Sequence, residues 1–455
     1  MPLDADFIAN LHDTFGVDLS LDVAECSTYG YDNSRRHHVP AAVVFPTCHE
    51  QIVALVHACR THHVALTARG RGTNTTGASV PLQAGVVVSF ERMQRIIEID
   101  PDNRMARVEP GVLNADLQAA AGKHGFFWPP DPTSAAFCTI GGNLACNAGG
   151  PHAVKYGATR DNVLGLRAVA GDGSDFRCGT RTTKGATGYD LTRLLIGSEG
   201  TLALITEATL KLTPRASATR TLRATYASVE AAAAAVARIM AQPVTPCALE
   251  FIDDEALRLA RAHAGDVVPA AGALLMIEVD GEAAALDSAV QAVSNAARGD
   301  GLIELRAARD HSEAQQLWAA RKALSPALRS LSPNKINEDV VVPVSRVPEL
   351  LAQLKQLAQR YQVLIVSFGH AGNGNLHVNL LPRDEAERER AMACLDEVFA
   401  AVIALDGTLS GEHGIGMAKR GYISRAVDAD ALAMMQRIKQ QFDPDGILNP
   451  GKLLP

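Results

Sequence analysis

Short apolar runs alternate with amphipathic stretches along the first part of the chain. Ala41 to Phe45 is one such run and reads as a strand. Pro46 follows it and is expected to open a helix carrying Ile52, Leu55, Val56 and Cys59 on one face. Val64 to Thr67 reads as a strand, then a glycine-rich loop, then the strand Gly85 to Phe90. This pattern is an α/β unit with short connections. From Arg107 to Leu212 the expected strands are short: Arg107 to Glu109, Val163 to Val169, Thr201 to Thr206 and Ala208 to Leu212. They describe a second α/β subdomain.

A boundary is expected around Pro214 to Ala218, and the character changes after it. Val229 to Met240 is an alanine-rich helix, and Val347 to Tyr361 is another helix. Ala273 to Val279, Leu302 to Leu305, Val363 to Ser367 and Leu376 to Leu380 read as strands. This half is an α+β unit with a largely antiparallel sheet. The tail from Phe442 to Pro455 reads as an ordered loop. The expected division is 1–216, 217–410 and 411–455, with the last segment returning to the first domain.

The chain has 455 residues, enough for more than one core. Its formal charge of -7 counts against nucleic acid as a partner. Eight cysteines without a CxxC pair count against a zinc ribbon or an iron–sulfur cluster. They read as small buried residues in a reduced compartment. The acidic start MPLDADFIANLHDTFG does not look like a signal peptide, and no apolar run is long enough to span a bilayer. The expectation is a cytoplasmic protein, with peripheral contact at the inner membrane and homodimer formation left open.

Three glycine-rich loops change the picture. The first runs from Arg69 to Gly77 after an expected strand, and turns backbone N–H groups and two arginines toward an anion. It matches neither the Rossmann fingerprint nor Walker A, so it points to a phosphate-bearing ligand without naming it. The second combines Pro129–Ser134 with Thr139–Gly150, and the third spans Gly197–Leu202. Together they suggest backbone lying close against a long, flat ligand.

A second constellation lies further on. In the segment Gly369–Leu380, His377 and Asn379 share one face of a strand, and a glycine-rich turn lets His370 approach His377. Downstream, Glu412 stands beside His413 between glycines. Two histidines and a carboxylate suit a divalent metal with open positions, so His370, His377 and Glu412 are the candidate ligands. Zinc is favoured, with manganese and iron open. His413 is the candidate base.

The segments RGRGTNTTG, PPDPTS, GGNLACNAGG, KGATGYDLTRLLIGSEGTLALIT, GHAGNGNLHVNL, GEHGIG and FDPDGILNPGK carry a family resemblance from about Val39 to the C-terminus. The chain resembles FAD-binding oxidoreductases of the vanillyl-alcohol-oxidase (PCMH) type, in the D-lactate, D-2-hydroxyglutarate and glycolate dehydrogenase branch. The resemblance implies an α+β fold: a two-subdomain FAD-binding domain followed by an α+β substrate-binding cap. It implies FAD contacts from Arg69, Gly70, Arg71, Gly72, Thr73, Asn74 and Gly77. Others would come from Pro130, Asp131, Thr133, Gly141, Gly142, Asn143, Asn147 and Gly150. Glu199, Gly200, Ile205 and Asn449 complete the set. No histidine stands between Arg69 and Gly77, so FAD is expected to be held non-covalently.

In relatives an arginine at the Arg321 position pairs with the substrate carboxylate, and its planar fork suits that contact. Asn379 is expected to add a hydrogen bond. Hydroxyglutarate-type relatives carry a lysine where this chain has Asn337, with Lys335 two residues earlier, which counts against a dicarboxylate. The implied reaction is oxidation of a small D-2-hydroxy acid, D-lactate first, with hydride passing to the flavin. The alternatives are a D-2-hydroxyglutarate dehydrogenase or a glycolate-oxidase-type FAD subunit of a larger complex. Electrons would leave for an external quinone, cytochrome or electron-transfer flavoprotein.

Overall fold

Apolar residues recur at helical spacing in His49–Thr61, where Ile52, Leu55, Val56 and Cys59 are all buried. That stripe builds the core on which the first sheet rests. The computed structural model describes residues 3–455. One unit comprises the chain up to Gly150, Gly157–Arg215 and Glu412–Pro455; the other comprises Pro151–Tyr156 and Ala216–Gly411.

In the first unit, β1 (Leu19–Ser20), β2 (Ala42–Val44), β3 (Leu66–Arg69) and β4 (Val86–Ser89) form a sheet in the order β1-β2-β4-β3. β2 and β3 run parallel to β4, while β1 is antiparallel to β2. The next strands are β5 (Ile96–Asp100), β6 (Met105–Val108), β7 (Phe126–Phe127), β8 (Val163–Ala170), β9 (Asp175–Gly179), β10 (Ala203–Lys211) and β11 (Thr213–Pro214). Five of them make an antiparallel sheet in the order β5-β6-β10-β8-β9, and β7 pairs with β11. Val169 and Leu204 of this second sheet join the core beneath the first, as do Ile447 and Leu448 of the tail. The tail lies along β3: the Leu66 N–H donates to Ile447 O at 2.8 Å, and the Asn449 N–H donates to Leu66 O at 2.8 Å.

The second unit holds β12 (Ala218–Tyr226), β13 (Ala248–Asp253), β14 (Ala273–Gly281), β15 (Leu302–Ala307), β16 (Ile336–Val341), β17 (Ile365–Gly369) and β18 (Asn375–Leu380). They form one antiparallel sheet in the order β15-β12-β14-β13-β17-β18-β16. β13 and β18 are buried at every residue, so any polar side chain on them must find a partner inside the protein.

Two expectations are corrected. The helix after β2 begins at His49 rather than at Pro46, because Thr47 turns its backbone N–H onto the Gln51 side chain at 2.8 Å. The two strands expected over Thr201–Leu212 are one, β10, which absorbs a register shift between Ile205 and Glu207 instead of breaking. The 20-residue helix Glu385–Ala404 was not read from the pattern: its buried residues are interrupted by acidic and basic ones that carry the N-terminal turns. The excursion Pro151–Tyr156 into the second unit also gave no sequence signal.

Gly374 shows how the turn between β17 and β18 is made. Its φ is +72°, and a Cβ there would lie 1.9 Å from the Val342 carbonyl oxygen. Gly374→Ala is therefore expected to lower unfolding free energy by at least about 2 kcal/mol, from left-handed strain plus the backbone clash. Urea unfolding that matched wild type would show that the turn has another route.

Candidate active site

The loop after β3 is shaped by its own side chains. Asn74 Oδ1 accepts the N–H groups of Thr76 at 2.8 Å and Ala78 at 3.1 Å, while its Nδ2 donates to the His413 carbonyl at 2.9 Å. The Asn33 N–H donates to the carbonyls of Gly72 and Asn74 at 3.2 and 2.9 Å. Left-handed glycines at Gly72 and Gly77 allow the turn. An open cleft of about 410 Å³ is lined by Asn33, Arg71, Gly72, Thr73 and the exposed ring of Phe137. Arg71 is half exposed, with Glu91 at 3.8 Å. These groups offer a cationic, backbone-rich surface suited to a pyrophosphate.

Several residues expected at the cofactor are committed within the protein. Arg69 is buried: its guanidinium donates to Tyr31 O and lies 5.6 and 5.7 Å from the ring centroids of Tyr29 and Tyr31. Asn143 faces inward and accepts Asn114 Nδ2 at 3.1 Å. Asn147, left-handed at φ +52°, closes the helix Ile140–Cys146 and accepts the Arg160 N–H at 2.9 Å. Gly141 and Gly150 serve close approach of the chain to itself, because a Cβ would come within 2.7 Å of Pro110 and 2.4 Å of Asp131. The amide of Asn449 donates to Ala78 O at 2.8 Å and Glu199 O at 2.7 Å.

Glu199 is a hub of the first unit. Its two carboxylate oxygens accept the N–H groups of Ile415 at 2.7 Å and Gly416 at 2.8 Å, which holds the segment after Glu412 and His413. Burial pushes its pKa up to about 7, against the pull of those N–H groups and of Lys452 and Lys419. His413 Nε2 lies 3.9 Å from the Glu412 carboxylate.

In the second unit, β17 delivers His370 and β18 delivers His377. Both are buried, with ring centroids 5.4 Å apart and planes at 81°. The partner of His370 was not anticipated. Glu250, fully buried on β13, is hydrogen-bonded to His370 Nδ1 and accepts Arg321 Nε at 3.1 Å. Burial raises its pKa, but the charges and hydrogen bonds of His370 and Arg321 outweigh that and hold it at about 2. Arg321 also stacks over Phe368, 4.9 Å from the ring centroid. A lone acid inside the apolar run Ala248–Ile252 was the signal that could have marked it.

Asn379 is buried on the same strand as His377 and accepts Lys335 Nζ at 2.7 Å. Asn337 sits opposite Asn379 in the ladder, and the arm of Lys335, just before β16, reaches the Asn379 side chain. Asp339, opposite His377, accepts the Gly411 N–H at 2.8 Å and the Ser410 hydroxyl at 3.0 Å.

Residues 40–179 match the FAD binding domain family, and residues 215–453 match the C-terminal domain of FAD linked oxidases. The glycolate oxidase subunit GlcD of Bacillus subtilis (strain 168) is 38% identical over 93% of this chain and 91% of its own length. The D-lactate dehydrogenase of Anaerostipes hadrus is 35% identical over 91% and 89%. The D-2-hydroxyglutarate dehydrogenase of Stutzerimonas stutzeri (strain A1501) is 34% identical over 95% of both chains. Among solved structures, p-cresol methylhydroxylase with substrate bound superposes with a TM-score of 0.81 at 16% identity, covering 98% of this chain and 96% of that one. At that identity the likeness speaks for the fold alone. The molecule is thus an FAD-binding oxidoreductase of the two-domain PCMH-type fold. The chain belongs to the FAD-linked oxidase family, in the group that oxidises hydroxy acids.

Two outcomes follow. Glu250→Gln leaves Arg321 and His370 without their buried carboxylate, and is expected to cost about 3 kcal/mol of stability. Turnover should fall by about 10- to 100-fold; an unchanged value would remove Glu250 from the site. Glu199 tests pH linkage. Its folded pKa of about 7 lies above its ordinary 4.5, so between those values the folded chain keeps a proton that the unfolded chain has lost. Stability therefore falls as pH rises through that window, by on the order of 3 kcal/mol. Glu199→Gln lacks this slope, so the stability difference between wild type and variant should shrink by that amount between roughly pH 5 and pH 7.5 in urea unfolding.

Proposed function

We propose that this chain oxidises a D-2-hydroxy acid to the 2-oxo acid, with D-lactate the favoured substrate. The carrying observation is the Glu250 carboxylate, which ties a candidate metal-ligating histidine and a candidate substrate-binding arginine to one buried group. Nδ1 of His370 is engaged by Glu250, so Nε2 is the nitrogen that would ligate a metal. A carboxylate behind a ligating histidine is the usual support for such a ligand. His370, His377 and Glu412 form the ligand set, with zinc favoured. Support for Glu412 comes from its neighbour: Gly411 is tethered to Asp339, which faces His377 in the β16–β18 ladder.

Arg321, its Nε held by Glu250 and its plane stacked on Phe368, is pre-oriented to present its remaining N–H groups to the substrate carboxylate. Nε2 of His413 receives the hydroxyl proton. Asn379 orients the substrate by a hydrogen bond. Arg71, Gly72 and Thr73 take the pyrophosphate of FAD, held non-covalently, and the loops around Pro130, Gly142 and Gly200 take the rest. Bound there, FAD would supply the hydride acceptor and a dication would lower the hydroxyl pKa. Electrons pass on to an external quinone, cytochrome or electron-transfer flavoprotein.

A second reading has a specific observation behind it. Lys335 adds an ammonium group beside Asn379, which suits a distal carboxylate and favours D-2-hydroxyglutarate over D-lactate. A glycolate-oxidase-type subunit of a larger complex is the third reading, resting on the relative named as a subunit. No helix among the described residues is long and apolar enough to cross a membrane.

Stopped-flow flavin bleaching with D- and L-lactate tests the leading reading. Bleaching by the D-enantiomer alone, lost on chelation and in the His370→Ala/His377→Ala variant, is expected. Equal bleaching by both enantiomers, or full turnover after chelation, would overturn it. Lys335→Met separates the substrates: a selective loss of activity toward D-2-hydroxyglutarate supports the second reading, and an equal loss toward both acids sinks it.

A further inference from the structure

A second cluster of ligand-type side chains, sharing no residue with the first, lies in the second unit. His152 comes from the excursion Pro151–Tyr156, Cys247 stands just before β13, and Glu278 sits within β14. Their ligand atoms, one from each residue, all lie within 4.8 Å of one another. His152 Nε2 is 3.9 Å from Glu278 Oε2. We propose that His152, Cys247 and Glu278 hold a divalent cation of the zinc class, which clasps the excursion onto the sheet.

The surroundings are those of a built site. Glu278 Oε1 accepts the Thr221 hydroxyl at 2.9 Å and the Trp318 indole N–H at 2.9 Å. Those two donors fix the carboxylate and leave Oε2 on the side of the imidazole, in the manner of a supported metal ligand. The backbone is fixed too: the Cys247 N–H donates to Glu278 O at 2.7 Å. The excursion is brought to this place independently of any ion, because Lys155 and Tyr156 both bind the Asp280 carboxylate, the tyrosine hydroxyl at 2.6 Å.

The charges of the set suit a cation. The Cys247 side chain is buried, and its sulfur lies within 4.8 Å of the Glu278 carboxylate and the His152 imidazole. A dication stabilises the thiolate, and with one thiolate, one carboxylate and a neutral imidazole the set is electrically balanced. Binding replaces the S–H bond by a metal–sulfur bond and releases the thiol proton to solvent, one per ion. One sulfur, one nitrogen and one oxygen ligand select zinc-like ions over magnesium or calcium, and three protein ligands leave a fourth tetrahedral position for water.

Cobalt(II) added to the chelated full-length holoprotein tests this. None of His370, His377 and Glu412 offers sulfur, so a sulfur-to-cobalt charge-transfer band in the difference spectrum reports Cys247. The band is expected in wild type, in the His370→Ala/His377→Ala variant with unchanged intensity, and not in Cys247→Ser. Zinc should erase it, and one proton should be released per ion bound. His152 is partly exposed, so His152→Ala should fold normally while binding cobalt at least tenfold more weakly. No band in wild type, a band that survives Cys247→Ser, or unaltered affinity in His152→Ala would each overturn the site.

Discussion

A carboxylate with no exposure to water cannot stand alone, and Glu250 shows what that demands. It is ionised because Arg321 and His370 surround it, and they in turn are oriented because it is there. The strand that carries it, β13, lies between β14 and β17, so the acid is fixed by ladders on both sides. Arg321 comes from a helix and His370 from the turn after β17. One buried charge thus converts three separate pieces of chain into a rigid cluster. The stacking of Arg321 on Phe368 adds a second restraint to the guanidinium.

The first unit solves a related problem with backbone amides. Glu199 sits in the left-handed region and spends both oxygens on the N–H groups of Ile415 and Gly416. Its own carbonyl accepts from Asn449, whose amide also reaches Ala78. Lys452 donates to Val80 O at 2.6 Å and to Asn449 Oδ1 at 3.1 Å. The first glycine-rich loop, the third, and the tail are therefore cross-linked by polar side chains that water cannot reach. Such fully satisfied networks hold loops in one conformation where apolar packing alone would allow several.

Much of the site's chemistry was legible from residue type and spacing. Strand alternation separated His377 and Asn379 from Leu376, Val378 and Leu380, and the glycines between His370 and His377 announced a tight return. What spacing left unread were the partners. Lys335 showed no link to Asn379, because the two stand 44 positions apart in the chain. Arg69, Asn143 and Asn449 looked available to a ligand because sequence alone gives no sign of burial. Each is turned into the protein by neighbours remote in the chain.

By itself, the sequence determined the local matters: the helix after β2 with its buried stripe, though not its first residue, the glycine turns, the histidines either side of the β17–β18 turn and the acid beside His413. These depend on residues within one or two turns of each other, where spacing is distance. Only the tertiary structure decided that Glu250 joins His370 to Arg321, that the tail runs beside β3, and that the excursion carrying His152 meets Cys247 and Glu278. Those contacts join residues from 71 to 383 positions apart in the chain. Strand order and burial set such meetings, and neither is written in a local pattern.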